Sequence, residues 1–532
     1  MPGNPLDLYI RAATLLGGLG REYDPRALNE AIALLRQAFR VVHLHHPLRR
    51  EILGTLSTAL MVRSEREGDY DDIDEAVSLA RTAVDGGGDA QSYVSLGNAL
   101  GRQFELTAEP AYLDEAIDAY QCALADPDPG YRAASHGSLS YALLLRFLRT
   151  GAIDDVDRAI RLGTMAGYFA DPEDPEIGNS FASVSKALVA RYDALGAVGD
   201  LDDAIRFAER ALSHAPSGHP LRGRFLVDLS DALRVRFLRR MYTDVADSAP
   251  LDEIDRAIAL ANEAVAITRH GHHYRAAYLE ALANAREARF GATNDIRDLR
   301  NAIERRRDAV AEAASVADAA GRFSNLAHDL VKSYMETGRR TDLDDALTAA
   351  WRAVELTPAG NADRAHYLAI LGLVQFQSYL AADDSGDGAE QAMSALGEAT
   401  TIVRAPVGTR AKAASALGDI AAYVGRYSDA VDAYQRAIQL LPLAAWRGVH
   451  EVDSEFVLGR FDGVGGEAAA CAILVGKPYL APELLEHARA VMWSQALDLR
   501  ADLLAVRAAD TGLADRLEAV RVGLGRLGGR HR

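Results

Sequence analysis

The chain has 532 residues, 49% hydrophobic and 25% charged, enough apolar material for a large core and too much for a disordered chain. Its 58 basic against 76 acidic residues leave a net charge of −18, which argues against a general binder of nucleic acid or of anionic membranes. Two cysteines, Cys122 and Cys471, exclude a disulfide scaffold and a cysteine-rich zinc module. The opening Met1-Pro2-Gly3-Asn4-Pro5 lacks the basic flank and apolar stretch of a signal peptide, and no apolar run approaches the roughly 18 residues of a membrane span. A cytoplasmic protein with no membrane partner is the expectation.

From the N-terminus onward one phrase returns: Leu28-Asn29-Glu30-Ala31-Ile32, Ile73-Asp74-Glu75-Ala76-Val77, Leu113-Asp114-Glu115-Ala116-Ile117, and further copies centred on Ala159, Ala204, Ala257, Ala302, Ala346, Ala392 and Ala430. The anchors stand 38 to 53 residues apart, the range of helical-pair repeats. Seven residues after every anchor stands a second alanine, from Ala38 and Ala83 through to Ala399 and Ala437. Seven residues are nearly two helical turns, so both methyls lie on one face, where they let a neighbouring helix approach. The acidic residues before the anchor suit a helix N-terminus, so the phrase predicts the start of the second helix of each pair.

The first helix of each pair carries a Leu-small-x-Ala-Leu core, as in Leu56-Ser57-Thr58-Ala59-Leu60, Leu96-Gly97-Asn98-Ala99-Leu100 and Leu229-Ser230-Asp231-Ala232-Leu233, often followed by an aromatic such as Phe104, Phe147 or Phe237. Breakers such as Asp126-Pro127-Asp128-Pro129-Gly130 separate the pairs, and no sustained period-two stretch occurs. The fold class predicted is all-α. The basic run Glu304-Arg305-Arg306-Arg307 reads as a solvated helix face.

The stretch with Leu417-Gly418, Gly425, Tyr427, Ala430, Ala437 and Pro442 resembles a tetratricopeptide repeat position by position. The longer copies, with phrases such as Gly196 to Ala204, are similar to the repeats of large bacterial signalling proteins in which such an array precedes a CHAT domain, a caspase-like peptidase. Glu467-Ala468-Ala469-Ala470-Cys471, Glu483-Leu484-Leu485-Glu486-His487-Ala488-Arg489 and Ser494-Gln495-Ala496-Leu497 resemble the helical stretch ahead of that domain. The resemblance implies a right-handed α-solenoid of about ten helical hairpins over residues 1–441, a glycine-containing linker over 442–464, and a helical tail over 465–532 that forms a cap or a degenerate repeat. It implies a scaffold or sensor for a protein partner, with a CHAT peptidase as effector in a longer form or as a separate chain.

Chemistry within the chain is expected to be absent, and with it any cofactor or metal. Cys122 and Cys471 sit in runs of small residues and read as buried structural thiols. His43-Leu44-His45-His46 and His270-Gly271-His272-His273 occupy corresponding loops and could gather a metal, but no carboxylate or cysteine recurs beside them. An enzyme or metal protein working from those loops or from the tail is therefore the alternative reading. Gly463-Val464-Gly465-Gly466 has the outline of a dinucleotide fingerprint without the βαβ unit it requires, and is expected to be a linker.

What remains is surface. In the tetratricopeptide register the residue two after each first-helix leucine faces the concave groove, and that position or its nearest equivalent holds Thr58, Asn98, Tyr141, Lys186, Asp231, Asn284, His328, Leu373 and Asp419, with Arg102, Arg234 and Lys332 one turn further. Asn98, Arg102, Lys186, Asp231, Arg234, Asn284, His328 and Lys332 are the expected partner-binding residues, a polar and partly cationic row suited to an extended peptide.

Overall fold

The computed structural model describes residues 4–18, 24–43, 46–67, 71–107, 109, 110–126, 131–169, 177–219, 221–243, 251–272, 274–313, 316–382, 387–445, 463–498, 511–513 and 516. Among them the regular structure is entirely helical, an all-α array of hairpins. Contacts divide the chain into two compact units, Met1–Asp193 with Ala197–Asn294, and Asp295–Arg532 with the three residues Ala194–Gly196.

In unit 1, α1 (Pro5–Gly18) pairs with α2 (Pro25–Val41), α3 (Leu48–Glu67) with α4 (Asp71–Asp85), and α5 (Ala90–Thr107) with α6 (Pro110–Ala125). Next come α7 (Arg132–Thr150) with α8 (Ile153–Phe169), α9 (Ile177–Leu195) with α10 (Gly199–Ser213), α11 (Arg222–Thr243) with α12 (Leu251–Ala266), and α13 (Arg275–Thr293). Unit 2 opens with α14 (Ile296–Ala311). It continues through the hairpins α15 (Val316–Thr337) with α16 (Arg340–Glu355), α17 (Arg364–Ala382) with α18 (Gly388–Thr401), and α19 (Val407–Tyr423) with α20 (Tyr427–Ala445). After α20 come α21 (Val464–Leu474) and α22 (Leu480–Asp498), which pair with each other and pack on α20.

The alanine pattern is the core. All ten anchor alanines are completely buried, and the alanines seven residues later are at most 3% exposed. Each acidic phrase opens a second helix, as at Asp71 of α4 and Asp200 in the first turn of α10. First helices end on left-handed residues that release the chain into a tight turn: Gly151 (φ 69°), Gly338 (φ 68°), and Asn294 (φ 54°) in the place of glycine.

Three further devices recur. The small residue of the first-helix core decides what faces it. Where it is serine its hydroxyl donates to the anchor carbonyl: Ser57 to Ala76 at 3.0 Å, Ser140 to Ala159 at 2.7 Å and Ser230 to Ala257 at 2.8 Å. Where it is glycine a large side chain fills the space, and an added Cβ would lie 2.5 Å from the Tyr120 ring at Gly97, 2.7 Å from Leu396 at Gly372, and 2.5 Å from the Tyr434 ring at Gly418.

Seven residues after the first-helix leucine, an arginine staples three helices of unit 1. Arg191 of α9 grips Asp200 of α10 through two bonds of 2.7 and 2.8 Å and reaches Asp157 of α8 at 2.7 Å. Arg63 repeats this with Asp72 and Asn29, Arg146 with Asp155 and Asp114, and Arg236 with Glu253 and Asp202. The acids before the anchor therefore do more than oppose a helix dipole: the one four residues ahead is a buried carboxylate held by a forked guanidinium.

The loops between hairpins follow a third rule. His46, His219 and His272 each accept, on Nδ1, the backbone N–H two residues on, at 3.1 to 3.2 Å, and Asn361 does the same with Oδ1 at 2.8 Å. The arginine three residues after each caps carbonyls at the end of the preceding helix: Arg49 on Val42, Arg222 on Ala215, Arg275 on Val265, and Arg364 on Val354 and Thr357.

One expectation about the core is overturned. Arg306 is not on a solvated face; at 2% exposure it is buried, and its Nε donates to Asp329 Oδ2 at 2.6 Å. Both members of the pair occupy positions that are apolar in most other copies, the fourth residue after the anchor and the alanine of the first-helix core. Arg307, by contrast, is about half exposed and pairs with Asp345.

Candidate functional site

First helices α3, α5, α7, α9, α11 and α13, with parts of α6, line a groove of about 840 Å³ in unit 1. Within it one glycine-type copy, α5, stands among stapled ones. At α5 the Gly97 backbone admits the Tyr120 ring, whose hydroxyl crosses to Asn98 Oδ1 at 2.8 Å and fixes that amide at the groove wall. Gly101, one turn on, lines the groove with no neighbour nearer to an added Cβ than the Tyr120 hydroxyl at 4.0 Å.

The groove is polar and tyrosine-rich. Arg102 pairs with Glu105 at 2.9 Å, Lys186 with Asp228 at 3.0 Å, and the Tyr141 hydroxyl reaches Glu105 at 3.4 Å. Burial and the nearby Glu105 raise the Tyr141 hydroxyl above its ordinary value, and burial with Tyr274 and Asp228 does the same at Tyr278. Both hydroxyls therefore keep their protons near neutral pH and remain donors. Arg224 stands among Asp228, Tyr274, Tyr141 and Tyr278, which hold its guanidinium charged against the penalty of burial.

Of the expected binding residues, Asn98, Arg102 and Lys186 line this groove, together with Thr58 and Tyr141. Asp231 and Arg234 do not; they pair with each other at 3.3 Å, and α11 instead contributes Arg224, Val227 and Asp228. Asn284 is likewise replaced on α13 by Ala277 and Tyr278. On these two helices the lining lies one to two turns nearer the N-terminus than the leucine register indicates. His328 and Lys332 sit on α15 in unit 2 and are not among the residues that line this groove. Arg224, Tyr274 and Tyr278 went unread because each precedes its leucine core, where the register points to no groove position.

The first helices of unit 2 present a different surface. Phe376 stacks on Tyr379 at 6.1 Å and meets Tyr423 edge-on at 5.4 Å, with Leu373 and Met335 exposed. Asp419, the expected groove residue of α19, receives the Tyr434 hydroxyl at 2.7 Å.

The thiols divide. Cys471 is buried, and burial with Glu467 and Asp419 raises its thiol above the usual value. Cys122 is exposed, contrary to the expectation that both are buried: the stripe residue is Ala123, and one residue back along a helix is a turn of about 100° toward solvent. The histidine loops are explained by the capping geometry of His46 and His272; His45 and His273 lie outside the described residues. Among the described residues no group of three or more His, Cys, Asp or Glu side chains is placed to hold a metal, and no helix is long and apolar enough to cross a membrane. Gly463 stands at φ 95° and α21 starts directly after it. Gly465 lies inside that helix, where a Cβ would come 2.7 Å from that of Ala488 on α22. Gly465 thus serves helix packing, while an added Cβ at Gly466 would meet nothing; residues 455–458, just ahead of the fingerprint outline, lie outside the described residues.

No known protein family matches the chain, and no curated protein does. Among solved structures it is similar to a human IFIT1 dimer with PPP-AAAA, at 14% identity over 90% of this chain and 96% of that one, with a TM-score of 0.42. It is also similar to the nearly identical TPR-like repeats of a putative kinesin light chain from Podosopora anserina, at 19% identity over 43% and 96%, TM-score 0.30. A tetratricopeptide repeat protein from Parabacteroides merdae matches at 12% identity over 58% and 93%, TM-score 0.34.

Proposed function

We propose that the chain is a non-enzymatic binding protein whose unit 1 groove grips an extended segment of a protein partner. The observation that carries this reading is the groove itself: about 840 Å³, continuous across six first helices and lined by fixed amides, tyrosine hydroxyls and charged side chains. Such a row meets the alternating donors and acceptors of an extended backbone and gives side chains separate places to settle. The array would act as scaffold or sensor, and the sequence resemblance supports a CHAT-type peptidase as the effector whose state it reports.

Gly101→Trp tests the reading. The groove has room for a side chain at that position, and replacing a mid-helix glycine removes a helix-breaking residue, so the fold should keep its melting temperature. Affinity capture from the native cytoplasm, read by mass spectrometry, is expected to yield a partner with the parent chain and to lose it with Gly101→Trp, with a CHAT-type peptidase among the captured proteins. Equal capture by both chains would remove the groove as the working face; capture lacking any such peptidase would remove the effector assignment alone.

A further inference from the structure

The groove's charges do not cancel. Lys186 is paired with Asp228 Oδ1 at 3.0 Å and Arg102 with Glu105 at 2.9 Å, although Arg102 Nε has no partner of its own, which leaves Arg224 as the groove cation with neither an ion pair nor a hydrogen bond among the described residues. Its surroundings are the tyrosines Tyr141, Tyr274 and Tyr278 and, one turn along α11, Asp228. A guanidinium carries five N–H donors in a planar fork, and one that is partly withdrawn from water without an acceptor is unfavourable until something supplies one.

Asp228 adds the complementary demand. It is 7% exposed, and its second oxygen, Oδ2, has no hydrogen-bond partner although it is fully enclosed. Residues four apart on a helix share a face. One stretch of α11 therefore offers an unused donor fork beside an unused acceptor, under tyrosine hydroxyls that remain donors.

We propose that this is an anchor for an acidic residue of an extended peptide: the side-chain carboxylate lands on Arg224, and a backbone N–H of the same peptide donates to Asp228 Oδ2. The assignment rests on the groove being the binding face, as set out above, and adds what it selects. A chain of phosphates fits poorly, because it would bring successive anions against Asp228 and Glu105 in a protein of net charge −18 and would offer Oδ2 no donor.

The probes are a fluorescein-labelled, end-blocked peptide of alternating glutamate and alanine, its glutamine counterpart, and a labelled oligouridylate, each titrated by anisotropy into the full chain. The glutamate peptide is expected to bind about tenfold more tightly than the glutamine peptide and to weaken as salt rises. Arg224→Met should abolish that preference while the chain melts as before. Asp228→Asn, which turns the waiting acceptor into an amide, should weaken both peptides alike. The inference is overturned if the two peptides bind equally, if neither binds, if the preference survives Arg224→Met, or if oligouridylate binds more tightly than the glutamate peptide. Equal binding that Gly101→Trp still abolishes would sink the anchor and leave the groove reading standing, whereas glutamate binding indifferent to Gly101→Trp would sink the groove reading.

Discussion

Unit 1 and unit 2 are built from the same hairpin, yet they solve the same junction differently. In unit 1 the position seven residues after the first-helix leucine is Arg63, Gln103, Arg146, Arg191, Arg236 and Arg289; in unit 2 it is Ser333, Ser378 and Val424. Where the arginine stands, one guanidinium ties its own hairpin to the preceding one. Where Ser333 stands, the hydroxyl donates to Asp342 at 2.6 Å and reaches no further helix. Unit 2 compensates elsewhere, with the buried Arg306–Asp329 pair between α14 and α15, and with glycine–large-residue contacts at Gly372 and Gly418. The lesson is that the hydrophobic stripe defines the hairpin, while the polar staples between hairpins can be exchanged for one another. The two surfaces follow suit: a charged, tyrosine-lined groove in one unit and a partly exposed aromatic cluster in the other.

The sharpest test of this exchange is the pair of arginines. Arg306→Met takes away the buried guanidinium that holds Asp329 in the core and should cost unit 2 about 3–5 kcal/mol. Arg191→Met removes a staple whose members keep more solvent, so unit 1 should lose roughly half as much. Replacing both members, as Arg306→Met with Asp329→Leu, should recover most of the loss, because these positions are apolar in most other copies. Urea unfolding of each variant reads the difference; equal costs for Arg306→Met and Arg191→Met would erase the distinction between the units' cores.

Next in size is the small-residue rule. Gly418→Ser forces an atom to within 2.5 Å of the Tyr434 ring and should cost about 1–3 kcal/mol by overpacking, and Gly97→Ser against Tyr120 should do the same in unit 1. In the doubles Gly418→Ser/Tyr434→Ala and Gly97→Ser/Tyr120→Ala the copy becomes the serine type of Ser57 with Ala80, so each double should be more stable than the sum of its singles. Additive losses in a double-mutant cycle would show that the pairing is coincidence rather than packing.

The alanine stripe, the helix starts and the hairpin count were legible in the sequence because each copy repeats the same apolar spacing. The staples were less so. Arg63 and Asp72 are nine residues apart across a turn, and nothing in helical periodicity links the end of one helix to the start of the next. The loop histidines are a related case: two close imidazoles bring a metal to mind as the alternative, but the spacing that the structure uses is from His46 to Arg49 and from His272 to Arg275, a cap on each of two helices. Asn98, Arg102 and Lys186, which follow the apolar core position of their helices, line the groove, whereas α11 and α13 turn their N-terminal residues into it, where the register points to no groove position.

The thiols distinguish the units by rate. Iodoacetamide on the native chain should alkylate Cys122 of unit 1 at least about tenfold faster than Cys471 of unit 2, since the second thiol is buried and its ionisation is opposed by Glu467 and Asp419. Peptide mapping after a short exposure checks it, and comparable labelling would mean that the packing of α21 against α20 does not cover Cys471.

The smallest effect concerns Asp419, where the Tyr434 arrangement of unit 2 differs from the Tyr120 arrangement of unit 1 by one charge: the acceptor is a carboxylate rather than the Asn98 amide. Burial, reinforced by Glu467, raises the Asp419 carboxyl above its ordinary value in spite of the opposing Tyr434 hydrogen bond. A carboxyl raised on folding binds its proton more tightly in the folded state, so its contribution to stability is greatest in acid and is lost as pH climbs from the unfolded value through the folded one. Above that window the charged Asp419 is a cost that an amide would not carry. Asp419→Asn preserves the acceptor for Tyr434, and makes this copy the Leu-Gly-Asn of unit 1. It should melt slightly higher than the parent chain at pH 7, with the two curves converging as pH falls through the carboxylate range. A variant that melts lower than the parent at pH 7 would mean that the hydrogen bond to the ionised carboxylate outweighs its burial, and that the two tyrosine copies owe their stability to different forces.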